Sequence, residues 1–343
     1  MEQTLDRALG ALYGVALGDA MGMPTEGRSR EAIRNGFGWL DRFQPGPDRE
    51  FVPGGLPAGA VTDDTQQTVL VAEGILEAHG RVEPGILARR IVAWADALGG
   101  TAGSYLGPSS ARAIDALRRG VPPEESGRSG ETNGAAMRIV PVGILSPSAD
   151  LPALVDRVEE AALATHHTDV AISGAALIAG AVSAAIDATP GPVGERIDGV
   201  IAVALECAEL GRTRGSRVAA ASVVERAAVA VGFARSADSD EQFLQRVYDV
   251  VGTSVLTPES VPAALGVAVR AHGDPLRAAV LAANLGGDTD TIGAMAAGIC
   301  GALAGVDGVP ASHRAMLDRV NALDLRPLAE ALVGFRGHPH PAA

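Results

Sequence analysis

Val61-Thr62-Asp63-Asp64-Thr65 stands at the mouth of an apolar run in which Val69, Ala72 and Leu76, with Val71 and Ile75, recur at helical spacing. Thr and Asp are residues that cap a helix start. Far along the chain, Gly286-Gly287-Asp288-Thr289-Asp290-Thr291 repeats the arrangement ahead of another apolar run. Either stretch alone reads as a polar helix cap with a solvated neighbour. Together they supply four carboxylates and adjacent hydroxyls, with no His or Cys among them. Such an all-oxygen set suits Mg²⁺, Mn²⁺ or Ca²⁺ rather than zinc. Helix N-termini favour anions, so each helix start is expected to lower its carboxylate pKa values. Four carboxylates brought close together stay ionised only when cations neutralise them, and two divalent ions balance four such charges.

The rest of the chain is read as the frame that brings these two stretches together. Apolar residues make up 47% of the 343 positions and aromatic residues only 3%, so the core is built from Ala, Val, Leu and Ile. That composition favours an all-α domain. The 43 glycines and 21 prolines divide it into many helices. Spacing predicts helices over 5–17, 62–79, 83–98, 109–119, 151–164, 169–186, 195–210, 217–229, 241–248, 261–270, 275–283, 291–303 and 313–322. The glycines and Pro24 of Gly18-Asp19-Ala20-Met21-Gly22-Met23-Pro24 are expected to end the first helix, leaving Asp19 and Glu26 in or beside a loop. Asp19 there is either a site residue or a local cap. Residues 28–57 carry no regular period and read as a long loop of the kind that serves as a lid. No internal repeat or low-complexity linker splits the chain, which is read as one domain over 1–335 followed by a disordered tail, 336–343.

Charge and composition set limits on partners. The net charge of −13 leaves no basic face for a nucleic-acid groove. Acidic residues at the start, Met1-Glu2-Gln3-Thr4-Leu5-Asp6, argue against a signal peptide. The uncharged run 170–186 is short for a membrane span and reads as a buried helix. Cys207 and Cys300 stand singly in apolar runs, as small core residues of a reducing, cytoplasmic compartment.

Three further stretches invite a ligand or a turn. Asn133-Gly134, within Thr132-Asn133-Gly134-Ala135-Ala136-Met137-Arg138, marks a turn whose small residues permit close backbone approach. Thr165-His166-His167-Thr168-Asp169 joins two helices. Its adjacent His residues point apart, so His166 is the contact candidate and His167 a surface residue. Gly103-Ser104-Tyr105-Leu106-Gly107-Pro108-Ser109-Ser110 offers backbone donors and hydroxyls before a helix. Asp288-Thr289-Asp290-Thr291 also suggests a phosphohydrolase nucleophile of the haloacid-dehalogenase kind. That motif follows a strand near a chain start, and here the context is helical and near the chain end.

These stretches, with Gly14-Val15-Ala16-Leu17-Gly18-Asp19-Ala20, Glu26 and Val261-Pro262-Ala263-Ala264-Leu265, resemble the ADP-ribosylglycohydrolases in order and over nearly the whole chain. The resemblance implies an all-α orthogonal multi-helix bundle around two divalent cations, Mg²⁺ or Mn²⁺. It maps metal ligands onto Thr62, Asp63, Asp64, Asp288, Asp290 and Thr291. It gives Glu26, Asp63 and Asp290 catalytic roles and implies substrate contacts at Gly107, Ser109, Asn133, Gly134, Met137 and His166. The implied reaction is hydrolysis at the anomeric carbon of ribose in an ADP-ribosylated protein or an ADP-ribose-containing small molecule. A smaller ribosylated metabolite suits the same centre. A non-catalytic ADP-ribose binder is the alternative from another class, and all six ligand positions are kept. Many family members carry an aromatic residue where this chain has Val61. Trp39, Phe43, Phe51 and Tyr105 are the candidates to stack on adenine.

Overall fold

A computed structural model describes residues 2–46, 55–99 and 106–338. The chain is all-α. Its helices are α1 (Glu2–Gly22), α2 (Arg30–Phe37), α3 (Asp63–Glu77), α4 (Pro84–Leu98), α5 (Pro108–Arg118), α6 (Pro123–Ser126), α7 (Gly134–Met137), α8 (Val140–Leu145) and α9 (Leu151–Ala162). They continue with α10 (Asp169–Asp187), α11 (Val193–Gly211), α12 (Val223–Ser236), α13 (Asp240–Arg246), α14 (Thr257–Arg270), α15 (Pro275–Ala283), α16 (Thr289–Ala304), α17 (Ala311–Asn321) and α18 (Leu325–Phe335). Among the described residues, strand-like pairing is limited to isolated bridges.

The seam between α1 and α16 sets the architecture. A Cβ built on Gly10, Gly14, Gly18 or Gly22 would fall 2.4, 2.2, 1.9 or 2.3 Å from the carbonyl oxygen of Gly301, Ala297, Gly293 or Thr289. The rungs step by four residues on each helix and run in opposite directions, so the two backbones touch along an antiparallel ladder. Only glycine on α1 permits that approach. This corrects the expected end of the first helix at 17. The glycines face a partner helix, and α1 continues to Gly22 with Asp19 inside it.

Around this pair, α10 is buried over nearly its whole length and packs against α8, α9, α11, α14 and α16. By length and composition α10 could cross a membrane, but 94% of its apolar stretch lies inside the protein. Ala and Gly dominate these contacts, as expected where helices must approach closely.

Several boundaries move. Residues 28–57 are not wholly irregular: Ser29 accepts from Ala32 N to start α2, and Gly38, at φ 68°, ends it. The helix expected over 217–229 begins only at Val223, where Ser222 accepts from Glu225 N. α18 is absent from the expected helices, yet Leu325, Ala329 and Leu332 bury one face of it. Packing also continues past the expected end at 335. Arg336 donates to the carbonyls of Gly143 and Ser146 at 3.1 and 2.9 Å and pairs with Asp187. Of the expected tail, 339–343 lies outside the described residues.

Candidate metal centre

The N-terminus of α3 is capped by a residue of another helix. Thr62 occupies the cap position, but its side chain makes no capping bond. Asp19 of α1, fully buried, accepts instead from Thr62 N at 3.0 Å and Thr65 N at 3.1 Å, and from the hydroxyls of Thr62 and Thr65 at 2.9 and 2.5 Å. Each hydroxyl has one proton. With its proton directed to Asp19, Thr62 Oγ1 turns lone pairs toward Asp64 Oδ2, 3.2 Å away. Two oxygens so placed form an edge for a cation. Asp64 Oδ1 is buried and has no hydrogen-bond partner.

α16 begins beside it. Gly286 and Gly287 both take positive φ, 85° and 82°, and a Cβ on Gly287 would lie 2.2 Å from Thr253 O. This double-glycine turn lets Asp288 N donate to Thr253 O at 2.8 Å. Asp288 is the cap residue of α16, yet its carboxylate makes no capping bond and instead accepts from Asn133 Nδ2. Asp290 accepts from Thr291 N, and Thr291 Oγ1 reaches Asp64 Oδ2 at 3.3 Å, tying α16 to α3. The Glu26 turn is clamped to the same glycines, by Gly27 N to Gly287 O and Gly287 N to Arg28 O, each 2.8 Å.

Two clusters of oxygens result. One oxygen each from Asp19, Asp64 and Asp290 lie within 4.8 Å of one another, and so do one each from Glu26, Asp288 and Asp290. Asp290 belongs to both. Asp63 stands on the cleft wall with Gln67 Nε2 donating to its Oδ2 at 3.1 Å.

Burial outweighs the helix dipoles at this site. Desolvation first, then repulsion among the carboxylates, holds Asp63, Asp64 and Asp290 well above the usual carboxylate range. Asp288 is raised by desolvation against its bond from Asn133. Desolvation raises Asp19 to about 6 despite its bonds from Thr62 and Thr65. The expected lowering by helix N-termini is therefore overturned for the cation-free chain. Six carboxylates converge rather than four, and the charge of Asp19 is met by hydrogen bonds rather than left to an ion. The orphaned Asp64 Oδ1, the oxygen-only donors and the raised proton affinities all fit hard divalent cations.

The remaining candidates divide into wall and backing. Glu26, Gly107, Asn133, Gly134 and Met137 line the cleft with Asp63, Asp64, Asp288, Asp290 and Thr291. Asn133 spends its amide protons on Asp288 and Ser260. Ser109 sits behind the wall, accepting from Glu131 N and Thr132 N, while Ser110 faces the cleft. His166 does not reach it. The ring is fully buried, with Nε2 3.0 Å from Thr132 Oγ1 and Nδ1 2.8 Å from Thr165 Oγ1, and burial holds its pKa well below the usual imidazole value. Trp39 and Phe43 lie elsewhere, Phe43 edge-on to His313, and Phe51 and Tyr105 lie outside the described residues.

Sequence reasoning gives no definite part to Asp19 and none to Gln67 or Arg138. Arg138 is buried, donates to Gln67 Oε1 and Thr165 Oγ1, and is lowered by burial to about 10, so it remains charged at neutral pH. The four-residue glycine spacing of α1 is the signal that would have placed Asp19.

Residues 1–341 match the family described as ADP-ribosylglycohydrolase. A relative in Escherichia coli (strain K12), named Uncharacterized protein YegU, is 42% identical over 96% of this chain and 97% of its own. An uncharacterized protein of Archaeoglobus fulgidus is 33% identical over 88% of each chain. The ADP-ribosylarginine hydrolase Tri1 of Pseudomonas putida (strain GB-1) is 27% identical over 90% of this chain and 73% of its own. Among solved structures, a chain of an ADP-ribosylglycohydrolase-related protein complex superposes with a TM-score of 0.68 at 24% identity, covering 98% of this chain and 99% of that one.

Proposed function

Because the chain belongs to the ADP-ribosylglycohydrolase family, we propose that it hydrolyses the glycosidic bond at the anomeric ribose carbon of an ADP-ribosylated protein or small molecule, releasing ADP-ribose. We assign the centre two divalent cations, Mg²⁺ or Mn²⁺. The observation that carries this reading is the pair of oxygen clusters sharing Asp290, next to the unpartnered Asp64 Oδ1.

Thr62, Asp63, Asp64, Asp288, Asp290 and Thr291 are the residues that would hold the cations. Bound there, such ions orient ribose hydroxyls and make a water more acidic. Glu26 would take the proton of the attacking water and pass it to the departing group as the bond to the anomeric carbon breaks. The Asp63 and Asp290 carboxylates would stabilise positive charge developing on the ribose ring. Gly107, Gly134 and Met137 give the wall a low profile where the ribose sits. Ser109 and His166 support that wall from behind. The unpaired thiols of Cys207 and Cys300 suit a cytoplasmic setting.

The test is turnover of arginine-linked and serine-linked ADP-ribosyl peptides and acetylated ADP-ribose, each with Mg²⁺, Mn²⁺ or chelator. The relative named as an ADP-ribosylarginine hydrolase is the reason the arginine linkage comes first. Free ADP-ribose, detected by mass spectrometry and lost with chelator, is the expected product. No ribosyl bond cleaved under any condition overturns the reading, and release of inorganic phosphate would redirect it to a phosphohydrolase.

A further inference from the structure

Behind the cleft runs a chain of buried polar groups whose hydrogen-bond directions are fixed by one residue. Arg138 is buried, and a guanidinium can only donate. Its Nη1 meets Gln67 Oε1 at 2.6 Å, so the other end of that amide, Nε2, must face Asp63 Oδ2. Its Nη2 meets Thr165 Oγ1 at 2.5 Å. Among the described residues Thr165 Oγ1 has no hydrogen-bond partner besides Arg138 and His166, so with Arg138 donating, its single buried proton goes to His166 Nδ1, 2.8 Å away. With Nδ1 accepting, the neutral ring carries its proton on Nε2 and donates to Thr132 Oγ1 at 3.0 Å. The hydroxyl proton of Thr132, a cleft-lining residue, is left to point elsewhere.

Resting on the metal-centre reading above, we propose that Arg138 is the positioning residue that sets hydrogen-bond polarity on two walls of the cleft. On one wall it makes Gln67 a donor to Asp63. That donor holds Oδ2 and leaves Oδ1 for a cation. On the other it fixes the His166 tautomer and so makes Thr132 a donor toward the substrate. Without Arg138 the Gln67 amide is at liberty to flip and present an oxygen to Asp63, which repels the carboxylate. The His166 ring likewise loses the contact that selects its tautomer. A guanidinium is needed because two separate neutral acceptors are held at once, which an ammonium on a single stem does less well.

The test uses the full chain and does not depend on turnover. Mn²⁺ affinity is measured by calorimetry for Arg138→Met, Arg138→Lys and Gln67→Asn, with helix content followed by circular dichroism. Gln67→Asn keeps an amide near Arg138 but withdraws it from Asp63, and it carries the metal arm if Arg138→Met fails to fold. Groups that orient metal ligands cost ~10- to 100-fold in metal affinity when lost, and that loss is expected for Arg138→Met and Gln67→Asn, with Arg138→Lys between them and the parent. Nitrogen-15 imidazole spectra supply the second arm. His166 is expected as the Nε2–H tautomer in the parent and in Gln67→Asn, and as a mixture in the Arg138 variants. Folded variants that keep parental Mn²⁺ affinity, or Arg138 variants that keep a single Nε2–H tautomer, overturn the proposal. If the parent itself binds no Mn²⁺, the metal-centre reading fails, and the tautomer arm alone judges Arg138.

Discussion

α3 and α16 both open on acidic residues and threonines, but they satisfy their N-termini in different ways. α3 borrows its cap from α1, through Asp19. α16 is held by its own Asp290 bonding Thr291 N and by the Gly286–Gly287 turn on Thr253, while the Asp288 carboxylate caps nothing. At α3 a single carboxylate from elsewhere serves the fold and frees Asp63 and Asp64 to face inward. At α16 the fold is secured by backbone geometry, so Asp288 is available to a ligand. The same local chemistry thus couples site and stability at the start of α3 and separates them at the start of α16.

Asp288→Ala tests that separation most severely. Turnover and Mn²⁺ binding should fall to the assay floor while helix content stays near normal. The cation-free variant should melt close to the parent, because removal of one charge from a repelling group offsets the lost bond from Asn133. Wild-type activity in the purified variant would remove Asp288 from the site.

Gly18→Leu should cost stability rather than chemistry. The new side chain would be driven into the backbone of Gly293, where the Cβ alone lies 1.9 Å from the carbonyl oxygen. Overpacking on that scale costs about 3 kcal/mol or more. A denaturant midpoint close to the parent would mean that the α1–α16 ladder is loose enough to admit a side chain.

Asp19→Asn acts on the borrowed cap directly. It keeps shape but turns one oxygen into a donor facing N–H groups and hydroxyls that also donate. Hydrogen bonds to charged groups contribute about 1.5–3 kcal/mol, and a loss within that range is expected in equilibrium unfolding, together with weaker Mn²⁺ binding. Asn133→Ala, which removes the donor to Asp288, should weaken Mn²⁺ binding with a smaller loss of stability. If the two variants lose equal stability, the contrast between α3 and α16 does not hold.

The contrast also explains what could be read from sequence. The stretches holding Thr62, Asp63, Asp64, Asp288, Asp290 and Thr291 could be picked out as two acidic helix starts because cap chemistry and helical period lie side by side in the chain. Asp19 was not, since its partner Thr62 is 43 positions away and the glycines flanking it read as helix stops. Their spacing at 10, 14, 18 and 22 carried the opposite message, a helix face pressed on another backbone. α18 was legible in principle from Leu325, Ala329 and Leu332. The start of α12 depended on a single Ser222 cap amid residues of ambiguous period. Arg138 lay in plain view at the end of the Asn133-Gly134 turn segment, but its role depends on Gln67 and Thr165, which only the fold brings to it.

The last expected effect is a dependence of stability on pH that cations counteract. Asp19, Asp63, Asp64, Asp288 and Asp290 all bind protons more tightly folded than ordinary carboxylates do, chiefly through desolvation. From the ordinary carboxylate value near ~4 up to each folded value, about 6 for Asp19, the folded chain holds more protons than the unfolded chain. Stability of the cation-free chain is therefore lost as pH rises through that window. Divalent cations compete with those same protons, so the stabilisation they add should grow as pH rises, reaching about 2.7 kcal/mol at a hundredfold excess over Kd. Thermal melts in chelator and in Mn²⁺ from pH 5 to pH 8 should diverge, with Tm in chelator falling and the gap to the Mn²⁺ curve widening. In Asp288→Ala the gap should close while part of the chelator slope survives, because Asp19, Asp64 and Asp290 remain buried. The buried His166, held below the usual imidazole value, contributes the opposite slope, so a chelator curve in His166→Gln that stays level from pH 5 to pH 8 would mean that burial does not govern these carboxylates, and the starts of α3 and α16 would then be electrostatically alike.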